Sequence, residues 1–380
     1  MNLYQVYNQL EVCPVKGKGA YVFDASGKSY LDFYGGHAVI SIGHSHPHYV
    51  QRVQEQVANL GFYSNAVPNP LQTQLAQKLG ELSGLSNYQL FLCNSGAEAN
   101  ENALKLASFK TGRTKIIAFK KGFHGRTAAA VNATDNPKLQ AAINKGFEVE
   151  YHGLNHLASV KKSLATNEIC AVIIEGIQGI GGIHFPHPSF LEALAELCHW
   201  HGSMLILDEV QSGYGRSGHF FAFQKANIKP DLITVAKGMG NGFPIGGVLI
   251  HPHFEAKLGQ LGSTFGGNHL AMAAGLAVLE VIEQEQLMEH AQQMGALLDA
   301  QLQELPGLVA YRGAGLMIGL EFDFPIKALR KALLHEHQVF TGSSSDPNVL
   351  RLLPPLNISE QEVHHFTDAL QKALQYQLVH

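Results

Sequence analysis

The sequence predicts an α/β protein, with a large domain on a mostly parallel sheet and a smaller α+β domain. Three features carry this expectation. Short runs in the middle of the chain are apolar throughout, as strands buried on both faces of a parallel sheet require. Helical patterns separate those runs, which suits layers of helix on sheet. The two ends of the chain read differently from the middle, and 380 residues are too many for one simple core.

Taken in order, residues 20–33 read as a hairpin turning at Asp24-Ala25-Ser26-Gly27. The apolar runs are 89–92, 115–119, 170–174, 204–207 and 232–235. Between two of them, residues 188–202 set Phe190, Leu191, Leu194, Leu197 and Cys198 at helical spacing, with Gly202 as a stop. From about Asn268 an amphipathic helical pattern continues to about Leu305, and strand-like pieces follow at 316–320 and 349–353. The last helix opens on Ser359 and Glu362, a capping-box spacing, and carries Val363, Phe366 and Leu370 on one face. The expected division is 1–50 and 268–380 as the two parts of the small domain, around a large domain at 51–267.

Composition narrows the function. The chain has 27 basic and 31 acidic residues, net charge -4, without a block of like charge. It therefore offers no electrostatic footprint for nucleic acid or a membrane surface. No apolar run is long enough to span a bilayer. Met1-Asn2-Leu3-Tyr4-Gln5 lacks the basic-then-apolar plan of a secretory signal. The cysteines, at 13, 93, 170 and 198, form no CxxC pair, so a reduced, cytoplasmic protein is expected. The histidine-rich pieces His44-Ser45-His46-Pro47-His48 and Cys198-His199-Trp200-His201 have no matching second half at zinc-finger spacing, and no metal is expected. The 39 glycines cluster around 35–36, 176–182, 213–218, 238–247 and 262–267. Such clusters mark turns, or backbone that approaches a ligand closely.

Three motifs carry chemistry. The run at 89–92 leads into Asn94-Ser95-Gly96-Ala97-Glu98-Ala99-Asn100, a tight Ser-Gly turn at a helix N-terminus. Free N–H groups and the helix dipole there suit a phosphate, although an ordinary N-cap serine would look the same. The run at 204–207 ends in Asp208-Glu209-Val210-Gln211, and 232–235 ends in Ala236-Lys237-Gly238. One strand–helix–strand step separates Asp208 from Lys237. Alone, the two could be a buried ion pair. With the Ser-Gly turn they point to a phosphorylated, aldehyde-bearing, pyridine-containing cofactor: a lysine can bind the aldehyde and an aspartate can hold the pyridine nitrogen protonated.

These motifs, with Phe123-His124-Gly125-Arg126-Thr127 and Gly262-Ser263-Thr264-Phe265-Gly266-Gly267-Asn268, resemble the class III aminotransferases on the type I fold of pyridoxal-phosphate enzymes. The likeness extends from Lys18-Gly19 to Leu350-Arg351. It implies that Lys237 binds the cofactor and shuttles the proton, that Asp208 pairs with the ring nitrogen, and that Gln211 contacts the 3-hydroxyl side. It implies that Phe123 stacks on the ring and that Ser95, Gly96 and Ala97 hold the phosphate. Thr264 would reach that phosphate from the partner subunit, so a homodimer with shared active sites is implied. Arg126 and Arg351 would bind substrate carboxylates, and His37 would fall near the mouth of the substrate pocket.

Within the class the likeness is strongest to enzymes that move the δ-amino group of an N2-acylornithine, acetyl or succinyl, to 2-oxoglutarate in arginine biosynthesis. The chain departs from the family at Gln178-Gly179-Ile180-Gly181-Gly182, where Ile180 stands in place of a glutamate that neutralises the second arginine. With that partner missing, an unpaired Arg351 favours the succinyl donor, which brings a carboxylate of its own. The alternatives are another ω-amino acid aminotransferase of ornithine or 4-aminobutyrate type, and a non-catalytic relative that binds the cofactor. No strand is followed by GxGxxG in the right place, which disfavours a dinucleotide enzyme.

Overall fold

The computed structural model describes residues 1–303 and 305–379. Its strands, in chain order, are β1 Pro14–Lys18, β2 Tyr21–Asp24, β3 Ser29–Phe33, β4 Gln89–Cys93, β5 Lys115–Phe119, β6 Val149–His152 and β7 Ile169–Glu175. They continue as β8 Met204–Asp208, β9 Leu232–Val235, β10 Gly246–Ile250, β11 Leu308–Ala314, β12 Met317–Phe322, β13 Val339–Ser343 and β14 Val349–Leu352. They form two sheets. The first runs β4-β10-β9-β8-β7-β5-β6 and the second β1-β2-β3-β13-β14-β12-β11.

In the first sheet β9, β8, β7, β5 and β6 pair in parallel, and β7, β8 and β9 are buried at every residue. That is why their sequences are apolar without alternation. The expected parallel setting of 89–92 needs correcting. β4 is an edge strand whose one neighbour, β10, runs antiparallel, and only its last residue is buried.

The second sheet draws its strands from both ends of the chain. β3 meets β13 in parallel and every other pairing is antiparallel. Its hairpin turns where Asp24 Oδ1 accepts from the N–H groups of Ser26 at 2.9 Å and Lys28 at 3.1 Å. Leu31 and Phe33 of this sheet share one hydrophobic core with Val172 and Leu207 of the other, so the two layers are joined through packed side chains.

The pattern from Asn268 to about Leu305 is two helices, His269–Gln284 and Leu287–Leu302. The break falls at Gln286, in the left-handed region at φ 52. Neither glycine nor proline marks it, so periodicity reads straight through. The first of these helices packs on helices Pro47–Asn59 and Pro70–Ser83. The last helix, Glu360–Val379, begins at the expected capping box: Glu362 N–H donates to Ser359 Oγ at 3.3 Å, and Ser359 N–H donates to Glu362 Oε2 at 2.7 Å. Among the described residues no helix is long and apolar enough to cross a membrane.

Candidate active site

The parallel strands all point their carboxyl ends to one side of the sheet, where a ligand crevice belongs. β8 delivers Asp208, β7 delivers Glu175, and β9 is followed by Ala236-Lys237. β4 leads into Ser95 and helix Gly96–Thr111, while β5 leads into the loop that carries Phe123 and Arg126. These residues surround a cavity of about 630 Å³, also lined by Ala97 and Gln211. Arg351 on β14 and Thr264 lie outside that lining. Arg351 sits behind the wall and reaches Gln211. Thr264 is exposed on the loop before helix His269–Gln284.

Lys237 adopts φ 45, a left-handed conformation that costs a side-chain-bearing residue about 1–2 kcal/mol. The turn Ala236–Gly240 imposes it, with Met239 N–H donating to Ala236 O at 3.0 Å. Among the described residues, its ammonium makes neither a hydrogen bond nor an ion pair. Burial holds its pKa below the usual lysine range, against the opposing charges of Asp208 and Glu175, with Arg351 adding to the depression.

Asp208 is 4% exposed and fully engaged. Its Oδ2 takes His124 Nδ1 at 2.7 Å and the Asn100 amide at 2.8 Å, and its Oδ1 accepts from Val210 N–H at 3.0 Å. Asn100 is itself fixed, because Thr234 Oγ1 donates to its Oδ1 at 2.7 Å. His124 Nε2 is buried without a partner.

At the Ser-Gly turn, Ser95 Oγ accepts from Glu98 N–H at 3.2 Å, the ordinary N-cap bond. Its own hydrogen stays available to an anion. Ala99 N–H returns to Ser95 O, which leaves the Gly96 and Ala97 N–H groups uncommitted at the positive end of a 16-residue helix.

Arg351 is 1% exposed. Its Nε donates to Ser343 O at 2.6 Å and its Nη1 to Gln211 Oε1 at 3.3 Å. No carboxylate among the described residues lies within ion-pair distance. Burial pushes its guanidinium down to about 10, with Tyr34 and Glu175 opposing. Gln211 also donates through Nε2 to His37 O at 3.0 Å. A Cβ at Gly179 would stand 1.7 Å from Gln211 Oε1, so glycine there is what leaves Gln211 room. Arg126 is exposed, carries no ion pair among the described residues, and stands 5.9 Å from the Phe123 ring centre. Ile180 lines the cavity.

The family profile "Aminotransferase class-III" matches residues 4–374. The chain belongs to the class III aminotransferases. It is 40% identical to the acetylornithine aminotransferase of Bacillus subtilis over 98% of this chain and 97% of that one. It is 41% identical to that of Archaeoglobus fulgidus, over 95% of each. Among solved structures, the acetylornithine aminotransferase of Elizabethkingia anophelis superposes with a TM-score of 0.85 at 31% identity, covering 97% of this chain and 95% of that one. The Toxoplasma gondii ornithine aminotransferase, described with pyridoxal phosphate at its active site, superposes at 0.90 with 29% identity, covering 98% and 92%.

Class III aminotransferases depend on pyridoxal phosphate, and the groups in this cavity fit that cofactor. An uncommitted, largely enclosed amine, a buried carboxylate held by three hydrogen-bond donors, and free N–H groups at a helix N-terminus answer its aldehyde, ring nitrogen and phosphate.

Some residues of this class III site are not singled out by the sequence reading. Glu175 is 6% exposed and lines the cavity. It accepts from Phe123 N–H at 2.9 Å and Gly179 N–H at 3.0 Å, and burial raises its carboxyl to about 7. The rule that singles out Asp208, a carboxylate at a strand's carboxyl end, applies equally to Glu175 and would have found it. Asn100 and His124 stand inside the recognised motifs, but only the fold brings them to Asp208. Gly35, Gly36, His37 and Ala38 all have positive φ, between 54 and 68, forming a left-handed turn that puts His37 on the cavity. Burial, then the positive charges of Arg351 and Lys237, bring that imidazole down to about 4.

Proposed function

We propose that the protein transfers the δ-amino group of N2-acetylornithine to 2-oxoglutarate, giving the semialdehyde and glutamate, as a cytoplasmic step of arginine biosynthesis. The observation that carries this is the uncommitted Lys237 amine beside the buried Asp208, in a chain about as long as relatives named acetylornithine aminotransferase.

When bound, pyridoxal phosphate supplies an aldehyde to take up the amino group and a ring that accepts an electron pair. The chain's own residues do the rest. Lys237 Nζ, kept neutral more readily by burial, removes the proton from the carbon bearing the amine and later returns it. Asp208 would hold a proton at the ring nitrogen. Ser95, Gly96 and Ala97 would hold the phosphate, Phe123 would cover the ring, and Gln211 would contact its 3-hydroxyl side. Arg126, exposed at the cavity, takes the α-carboxylate of the acylornithine. Arg351 takes the carboxylate next to the reacting carbon of glutamate, since a planar guanidinium matches a carboxylate fork.

The acetyl donor is preferred to the succinyl donor for a physical reason. The succinyl expectation rested on an Arg351 left without a partner. Ser343 O and Gln211 Oε1 answer two of its donors, so a second substrate carboxylate is not needed.

The homodimer is part of the same proposal. Thr264 is exposed beside an aromatic pair, Phe62 and Phe265, that leaves 43% and 60% of its surfaces open. Tyr63 and Val67 extend the apolar face, which suits burial against a second copy with Thr264 on the partner's phosphate. A donor screen with acetylornithine, succinylornithine, ornithine and 4-aminobutyrate tests the substrate. A preference for ornithine or 4-aminobutyrate would replace this reading with that of another ω-amino acid aminotransferase.

A further inference from the structure

The loop at 262–268 carries Thr264 and is built from residues that hold a shape poorly on their own. Gly262, Gly266 and Gly267 all belong to it, and glycine loses more backbone freedom on ordering than any other residue. The segment between helices Pro47–Asn59 and Pro70–Ser83 fixes this loop from outside. Asn65 Nδ2 donates to Ser263 O at 3.1 Å and to Gly266 O at 2.9 Å. Those two carbonyls flank Thr264-Phe265, so one side-chain amide uses both of its N–H groups to close the tip of the loop. Gln72 orients that amide, because its Nε2 donates to Asn65 Oδ1 at 2.8 Å and to Gly267 O at 2.9 Å. Asn69 Nδ2 adds a bond to Gly267 O at 3.1 Å.

The same loop is docked on its own subunit's phosphate turn. Ser263 Oγ accepts from Asn94 Nδ2 at 3.2 Å and from Gly266 N–H at 2.9 Å. A Cβ at Gly266 would stand 2.3 Å from Leu92 O, so the loop rests against β4, the strand that leads into Ser95. All of these bonds fall on the loop's backbone or on Ser263. The Thr264 side chain takes part in none of them and is exposed. The network therefore makes a rigid mount for one outward-facing hydroxyl.

We propose that Asn65 is a positioning residue for the cofactor phosphate of the partner subunit, acting through Thr264. This rests on the reading that Thr264 reaches that phosphate in a homodimer. A hydroxyl bonds a phosphate oxygen only within a narrow range of distance and angle. A loop tip released from Asn65 would hold that geometry for part of the time, and affinity falls by the same fraction. Asn65 thus serves the other subunit's site, while Ser95, Gly96 and Ala97 serve their own.

The test uses mixed dimers in which one subunit carries Lys237→Ala. The visible absorbance of lysine-bound cofactor then reports on the other subunit's site alone, and its loss on dilution measures affinity for pyridoxal phosphate. Asn65→Ala placed in the Lys237→Ala subunit should weaken the reporting site roughly fivefold, part of a hydrogen bond to a charged group. Placed in the reporting subunit, it should leave that site within about twofold. Thr264→Val should show the same asymmetry with a larger loss, roughly tenfold. If Asn65→Ala does not fold or dimerise, Gln72→Met, which removes the amide that orients Asn65, takes its place in the same comparison. A loss as large or larger when Asn65→Ala lies in the reporting subunit would overturn the proposal, since Asn65 would then act on its own site. No loss from Asn65→Ala where Thr264→Val gives one would overturn it as well. No loss from Thr264→Val in either subunit would remove Thr264 from the partner's phosphate, and the role of Asn65 with it.

Discussion

Replacing Asp208 by asparagine tests the centre of the mechanism, and the structure separates its two consequences. The first is catalytic. The variant keeps the shape but loses the charge that holds a proton at the ring nitrogen. A loss of about 3 kcal/mol of transition-state stabilisation corresponds to roughly a hundredfold slower turnover. The second is structural. Both oxygens of Asp208 are acceptors: Oδ2 for His124 Nδ1 and the Asn100 amide, Oδ1 for Val210 N–H. An asparagine has one acceptor oxygen. Keeping it toward His124 and Asn100 turns its NH2 against the Val210 N–H. One buried donor is then orphaned, at a cost of about 1–3 kcal/mol. The variant should therefore melt earlier, retain cofactor judged by visible absorbance, and turn over at least about a hundredfold more slowly in both half-reactions. Near-normal turnover would refute the reasoning, because Asp208 would then not be the group that holds the ring proton.

Borohydride treatment of the yellow holoenzyme should fix the cofactor onto Lys237; peptide mapping to another lysine, or a colourless protein after added pyridoxal phosphate, would remove Lys237 from its role. Arg351→Ala should slow the glutamate half-reaction by at least about tenfold, on the scale of a charged hydrogen bond, and the acetylornithine half-reaction far less; equal damage would end the division of labour between the arginines. Glu175→Gln should gain stability relative to the parent as pH rises between about 4.5 and 7. The sign follows from a folded-state pKa raised to about 7 from 4.5, so that the parent's Glu175 stabilises fully below the lower value and loses that contribution as pH rises through the upper. Melting curves with a constant gap would show that Glu175 does not titrate there. Sedimentation should find a dimer that cofactor stabilises, and an active monomer would contradict the placement of Thr264 on a partner's site.

How much of this was legible in the sequence depends on the range of the contact. The buried strands 170–174, 204–207 and 232–235 are legible because both of their faces are covered, which leaves no polar alternation to hide them. Asp208 and Lys237 are legible for the same reason, as charged residues placed where apolar runs stop. The Ser95 turn is local chemistry, written in consecutive residues. β10 was missed because Gly246 and Gly247 open it and disguise a strand as a turn. The break at Gln286 was missed because its cause is the packing of two helices rather than a local signal. The Asp208 environment is the clearest limit. Asn100, His124 and Thr234 come from separate elements, and only the assembled sheet makes them neighbours.

Arg351 shows why residue identity at one position can be misread without its surroundings. With Ile180 in place of an acidic residue, the sequence leaves the second arginine unneutralised and turns attention to the substrate. The fold answers differently. Glu175 lowers the electrostatic cost from the cavity wall without touching the guanidinium, and Gln211 and Ser343 bond it with neutral acceptors. Neutral acceptors hold an arginine more weakly than a carboxylate does, so a substrate carboxylate arriving there, as proposed, would displace Gln211 at little cost. Gln211 is also tied to His37 O, and through it to the left-handed turn at the cavity. Occupation of Arg351 by glutamate would thus free the Gln211 oxygen while leaving its amide on that turn. Restoring an acid by Ile180→Glu would put a charged competitor beside Arg351, weakening glutamate and 2-oxoglutarate binding relative to acetylornithine. Half-reaction kinetics in which Ile180→Glu leaves that ratio unchanged would mean that position 180 does not reach Arg351 at all.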